Sequence, residues 1–390
     1  MEVARPFLLR PGNEARCAQV TFPCTFLVYL SFQPVADKDR VQFMTSLSLE
    51  YGLTHIVQRG DIFNGVISLY ENNREQILQE YPFRIKFQGE RAVDLGGVAR
   101  DMFSAFYEET YERLFDGSSL LCPTVHPEME MSVLTTVGFV ISQAYMVTGI
   151  LPVRIAFPCL AHSLLGTSAT IPKSIIVEAF QDFISTHESN IVKRALEVKQ
   201  QLPAFSSEVM SGLISLLGHF NSRQVPSPHH QVTNVATYEF LIKPTAALAM
   251  IHSGVPQQHR PFWDRMGVTG LLSLYQAQCA CPATVLSMIE DAEGQNASQE
   301  RILRYLCQFI GNMGSDELHT FLRFVTGSSV CSALKIEVEF NMLSGASRRP
   351  IAHTCTPSLE LPSTYATYTE FVSEFRKCMA SEYSWIMDGI

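Results

Sequence analysis

"FRIKFQGERAVDLGGVARDMFSAFYEETYERLF", residues 83–115, carries the mix of elements that sets the fold class. Phe83, Ile85 and Phe87 alternate with Arg84 and Lys86, the period-two pattern of a strand with one buried face. A Gly-containing connection follows, and Phe103, Phe106, Tyr107 and Leu114 then recur at helical spacing. The order is strand, loop, helix. Asp94-Leu95-Gly96-Gly97 stands at the helix entry, where a Gly-rich segment can cradle a phosphate through free backbone N–H groups. Neither a Gly-Lys-Ser/Thr run nor a G-x-G-x-x-G pattern accompanies it, so the four residues read as a tight turn with Asp94 near the helix start.

Upstream, Asp61 to Glu80 repeats apolar residues at three- and four-residue steps and reads as an amphipathic helix closed by Pro82. Val20 to Phe32 reads as one or two strands ended by Gln33-Pro34. Downstream, Val133 to Val147 is apolar on most faces, as a buried helix is, and Gly149 to Pro152 ends it. Lys173 to Gln200 reads as one or two helices. Ser222 to Thr233, with Pro226, Pro228, His229 and His230, reads as an exposed loop with a solvated His pair. A helical stretch from Gly267 gives way to the polar "EDAEGQNASQ" at 290–299, a linker or surface loop, and a domain boundary is expected near residue 285.

Beyond it, Arg301 to Asn312 and Asp316 to Phe324 read as helices, and "ALKIEVEF" at 333–340 alternates as a half-buried strand. Thr367 to Glu370 has the form of a capping box before Phe371, Val372, Phe375 and Met379, so a helix closes the chain. The fold class is α+β.

Composition narrows the function classes. Of the 390 residues 46% are hydrophobic and 17% charged, with 25 Phe and 13 Tyr, the balance of a globular chain large enough for more than one domain. The formal charge is −9 and the basic residues are scattered, so no footprint for a phosphate backbone is present and nucleic acid is not an expected partner. The apolar run Phe22 to Phe32 falls short of the roughly 20 residues of a membrane helix, so no membrane span is expected. Met1 to Arg16 carries Glu2, Arg5, Arg10, Pro11 and Glu14, unlike a secretory signal, so an intracellular chain is expected.

Ten cysteines are spread along the chain without the density of a disulfide scaffold and read as thiols. Cys279-Ala-Cys281 has no second pair or nearby His to complete a zinc site, so no metal and no cofactor are expected. A free Cys is commonly a small buried hydrophobe. Cys355 stands apart because His353, Thr354 and Thr356 flank it and Arg348 and Arg349 precede it, a polar and cationic setting that favours thiolate. In an extended segment His353 and Cys355 would share a face, which leaves a Cys–His pair open. The residues alone leave Cys355 as either a packing residue or a nucleophile.

Four stretches in order, residues 83–103, "GFVISQAYMVTGILPVRIAF" at 138–157, "LHTFLRFVTGSS" at 318–329 and "PIAHTC" at 350–355 followed by "LELPSTY" at 359–365, resemble the HECT family of ubiquitin ligases. The resemblance runs from about residue 55 to about residue 385. It implies a bilobal fold: an unassigned extension over 1–54, a larger, mainly helical N-lobe over 55–284 that docks a ubiquitin-conjugating enzyme, and a smaller α+β C-lobe over 285–390, joined to it by a hinge. It also implies that Cys355 takes ubiquitin from the conjugating enzyme as a thioester and passes it to a lysine of a protein substrate, in the cytoplasm or nucleus. His353 and Thr354 would shape the loop around the nucleophile. Thr356 stands where the family commonly has Phe, Arg349 where Leu is usual, Asp101 in place of a common Glu, and Met387 where many members carry Phe. A catalytically weak or inactive relative that binds ubiquitin or a conjugating enzyme is the alternative.

Overall fold

A computed structural model describes residues 38–44, 46, 54–79, 83–91, 94–124, 130–197, 207–222, 228–291, 295–332 and 335–380. The expected strands over Val20 to Phe32, the closing Pro82 and the position of Met387 lie outside them. The described part is mostly helical with small sheets, in keeping with the α+β reading.

The first hydrophobic core draws on residues from Met44 to Tyr275, together with Val330. Its helices are α1 (Ile62–Asn72), α2 (Arg74–Ile77), α3 (Gly97–Leu114), α4 (Met131–Thr148), α5 (Phe157–Leu165), α6 (Lys173–Phe183), α7 (Thr186–Glu197), α8 (Ser207–His219), α9 (Pro228–Thr237), α10 (Thr245–Gly254) and α11 (Arg260–Gln278). Two small sheets accompany them: β1 (Thr54–Val57) parallel to β2 (Arg84–Phe87), and β3 (Phe115–Gly117) antiparallel to β4 (Leu121–Pro123). The alternation at 83–87 emerges as expected, with Phe83, Ile85 and Phe87 buried and Arg84 and Lys86 outside.

Among the described residues α4 is the one helix long and apolar enough to cross a membrane, and 67% of it is buried inside the protein, as a core helix is. It lies against α10 at two glycines: a Cβ on Gly138 would overlap the Ile251 carbonyl, and one on Gly254 the Thr135 carbonyl. Only glycine lets the two backbones approach this closely.

The second core draws on Val285 to Met379. Here α12 (Pro282–Met288), α13 (Ala297–Gly311), α14 (Ser315–Thr326) and α15 (Tyr368–Ala380) accompany a four-stranded sheet of order β5-β6-β8-β7, formed by β5 (Ile289–Asp291), β6 (Ile336–Asn341), β7 (Ile351–His353) and β8 (Ser358–Pro362). Three parallel strands, β5, β6 and β8, are edged by the antiparallel β7. Phe309, Phe321, Phe324, Phe371 and Phe375 fill the space between the helices with offset and edge-on ring contacts.

Three expectations need correction. The helix read over Asp61 to Glu80 is two, because Asn73 leaves helical geometry at φ −126° and its side chain donates to the Leu69 carbonyl at 2.9 Å, ending α1. The loop read over Ser222 to Thr233 is helical from Pro228 onward, since Pro at the first position of a helix starts rather than breaks it. The polar stretch 290–299 begins inside β5 and ends in α13, where Asn296 and Gln299 form a capping box.

Candidate active site

β7 and β8 form a hairpin whose register pairs His353 with Ser358, so Thr354 to Pro357 make its turn. Pro357 is buried, Thr356 is exposed and Cys355 is half-buried. Cys355 thus occupies a hairpin tip, and the extended alternation that would set it beside His353 is interrupted. The His353 ring turns to its own hairpin instead, with Nε2 2.8 Å from Glu360 Oε1. That bond, with a smaller contribution from Asn341, holds the Glu360 carboxyl below the usual carboxylate range.

Nor do the upstream arginines supply the expected cationic setting. Arg348 is tied to Glu370 and Glu374 on α15 and lies over the Tyr365 ring, 4.7 Å from its centroid. Arg349 is exposed, as is Thr356, so two of the departures from the family pattern point outward.

The charge near Cys355 comes from the first core. Arg100, on the first turn of α3, is 8% exposed. Its Nη2 donates to the Thr354 carbonyl at 2.5 Å and its Nε to the Thr326 carbonyl at 2.9 Å. Burial lowers the guanidinium from its ordinary value, while the charge interactions with Cys355 and Asp94 work the other way. Arg100 therefore joins three pieces of chain, α3, the end of α14 and the cysteine turn, through one planar group suited to two acceptors at once.

Two glycines make that approach possible. A Cβ on Gly97 would stand 2.8 Å from Thr354 Oγ1, 3.0 Å from the Thr354 carbonyl carbon and 3.1 Å from the Cys355 nitrogen. Gly327, in the left-handed region at φ +73°, would meet the Gly97 carbonyl oxygen. The Asp94 turn holds as read: Oδ1 accepts from the N–H groups of Gly96 at 2.7 Å and Ala99 at 3.3 Å, and Oδ2 from Ile85 at 2.9 Å. One carboxylate thereby caps α3 and ties its start to β2.

Further along α3, Asp101, 1% exposed, pairs with Arg59 at 2.6 Å and with Arg323 of α14 at 2.8 Å. Ser104 Oγ donates to the Gly327 carbonyl and accepts from the Ser329 N–H. One face of α3 thus carries a polar row that receives the second core. The sequence announced Cys355, His353, Thr354 and the Gly-Gly turn; it did not announce Arg100, whose partner lies 254 residues away. The signal available was Gly97 itself, needed for close approach and not for a phosphate.

Among the described residues no group of His, Cys, Asp and Glu side chains is arranged to hold a metal. A search of the curated proteins found no match. The model of one family, described as HECT-domain (ubiquitin-transferase), matches residues 274–385, which contain the whole second core and the cysteine turn; the blocks at 83–103 and 138–157 lie outside the match. Over that stretch, which holds its second core, the chain matches the HECT-domain (ubiquitin-transferase) family.

Proposed function

We propose that this is a HECT-type ubiquitin-protein ligase in which Cys355 is the thioester-forming nucleophile. The observation that carries the reading is the seating of Cys355: a half-exposed thiol on a hairpin turn inside the family match, held against the first turn of α3 beside the Arg100 guanidinium. The thiolate attacks the carbonyl carbon of the thioester between ubiquitin and a conjugating enzyme, and the enzyme's thiolate leaves. A substrate lysine amine then attacks the new thioester, loses its proton to solvent or a base, and Cys355 leaves as thiolate. Thiol-to-thioester exchange needs no strong base because the same kind of sulfur enters and departs.

The two cores correspond on this reading to two lobes: 55–284 docks the conjugating enzyme, and 285–390 carries the nucleophile across a hinge, with 1–54 an extension. His353, bonded to Glu360, and Thr354, bonded to Arg100, shape the turn and do not react.

The test is a single-turnover assay. Conjugating enzymes from a panel, charged with labelled ubiquitin, are mixed with the protein and with Cys355→Ala and run on non-reducing gels. A thiol-labile adduct absent from the variant is expected. An adduct that survives Cys355→Ala would overturn the assignment, and ubiquitin binding without any adduct would show a non-catalytic module.

A further inference from the structure

Two thiols meet in the first core. Cys122 on β4 and Cys159 on α5 lie with their sulfurs 3.3 Å apart. Both face the backbone of a π-turn, Tyr238–Ile242, that follows α9. In this turn the Lys243 N–H bonds the Tyr238 carbonyl, five residues back. The Glu239 carbonyl would look in the same register to residue 244, and Pro244 has no N–H to offer. Side chains fill the gap. Cys122 Sγ donates to the Glu239 carbonyl at 3.3 Å, Cys159 Sγ to the Phe240 carbonyl at 3.2 Å, and Thr245 Oγ1 to the Leu241 and Ile242 carbonyls at 2.5 and 2.7 Å.

The two thiols differ in access. Cys159 is wholly buried, and burial pushes its thiol well above the ordinary value and keeps it protonated. Cys122 lines an open cleft of about 290 Å³ together with Asp116, Phe183, Glu239 and Lys243. One sulfur is therefore open to a small oxidant, and its neighbour is in contact behind it.

We propose that Cys122 and Cys159 form an oxidation site for hydroperoxides, and that their conversion to a disulfide withdraws both S–H donors from the π-turn and loosens it. The Cys122 sulfur attacks the terminal oxygen of the peroxide, giving a sulfenic acid and releasing water or an alcohol. The Cys159 thiol then condenses with the sulfenic acid, forming the S–S bond and a second water. Two thiols are oxidised and one peroxide is reduced. The Glu239 and Phe240 carbonyls lose their partners, and the turn that presents the exposed side chains of Tyr238 and Ile242 opens. The site is independent of thioester chemistry at Cys355.

The experiment treats the full chain with graded hydrogen peroxide, then maps it by proteolysis and mass spectrometry under non-reducing conditions, alongside amide hydrogen exchange. A peptide containing Cys122 linked to one containing Cys159 is expected, with amide exchange over 238–245 about tenfold faster, as the loss of two modest hydrogen bonds implies. Dithiothreitol reverses both. Cys122→Ser, which keeps a donor for Glu239 and removes the sulfur, shows neither change; should it not fold, the reversal in the unaltered protein carries the test. Oxidation of the exposed Cys281 without the Cys122–Cys159 link overturns the site. A link with unchanged exchange over 238–245 overturns the coupling to the π-turn.

Discussion

Replacing Gly97 with alanine puts a methyl group where the Cys355 turn already lies. The new Cβ meets Thr354 Oγ1, the Thr354 carbonyl carbon and the Cys355 nitrogen at 2.8, 3.0 and 3.1 Å, whereas ordinary contact begins near 3.4 Å. Two of these three atoms are backbone and cannot swing aside, so the turn must retreat by several tenths of an ångström. The overpacking costs about 1–3 kcal/mol. The alanine gains less than about 1 kcal/mol of helix propensity, because Gly97 is the first residue of α3. The net cost of about 1–2 kcal/mol falls on the seating of the turn and not on either core, since the strained contacts cross between them. At 1.4 kcal/mol per decade, the seated population drops about tenfold relative to the unseated one.

The assay pairs hydrogen exchange at residues 354–357 with single-turnover ubiquitin transfer, using Gly311→Ala as the control because no atom stands within 4 Å of its added Cβ. Faster exchange at the turn and about tenfold slower transfer to lysine are expected of Gly97→Ala alone. Unchanged exchange and transfer in Gly97→Ala would refute the view that seating against α3 matters.

Three other outcomes follow from geometry already described. Arg100→Lys keeps the charge but loses the planar fork, so one of the Thr326 and Thr354 carbonyl bonds goes and turn exchange rises by about tenfold, checked by the same exchange measurement. Asp101→Asn leaves Arg59 and Arg323 without their shared carboxylate and destabilises the protein by about 3 kcal/mol in urea unfolding; both arginines are partly exposed, so solvent screening sets this at the low end for a broken pair. His259, bonded through Nδ1 to Ser142 Oγ, is pushed down to about 4 by burial. Its neutral form is favoured in the folded state, so stability is full above the unfolded value of about 6.5 and falls as pH drops toward 4; His259→Phe should flatten that stretch of the stability profile.

Local pattern was legible where one element decides it. The strand at 83–87, α4, α13, α14 and the last helix all follow from spacing and caps within a few residues, because burial on one face dictates the period. Expectation failed where two signals competed. Pro228 reads as a breaker but serves as a helix start, and 290–299 is polar because its strand is a short sheet edge and its helix start needs a cap. The site was half legible. Cys355 announces itself by its neighbours, yet the partners supplied to it come from Gly97 and Arg100, far off in sequence, and nothing local says that a Gly-Gly turn will receive a hairpin from another core. Arg348 and Arg349 misled for the converse reason: adjacency in sequence gave them to Cys355, while folding turned Arg348 to α15 and Arg349 to solvent.

Val330 belongs to the first core although the chain on either side of it, Val325 and Cys331, belongs to the second. A segment anchored in this way behaves as a button through a cloth and not as a thread across a fold. Were the second core to leave α3 as one body, Val330 would leave its socket and the Ser104 bonds would part in the same event. Such a release would be activated by extraction of one apolar side chain, so Val330→Ala is expected to speed hydrogen exchange at the cysteine turn, and unchanged exchange would show that the anchor does not hold it.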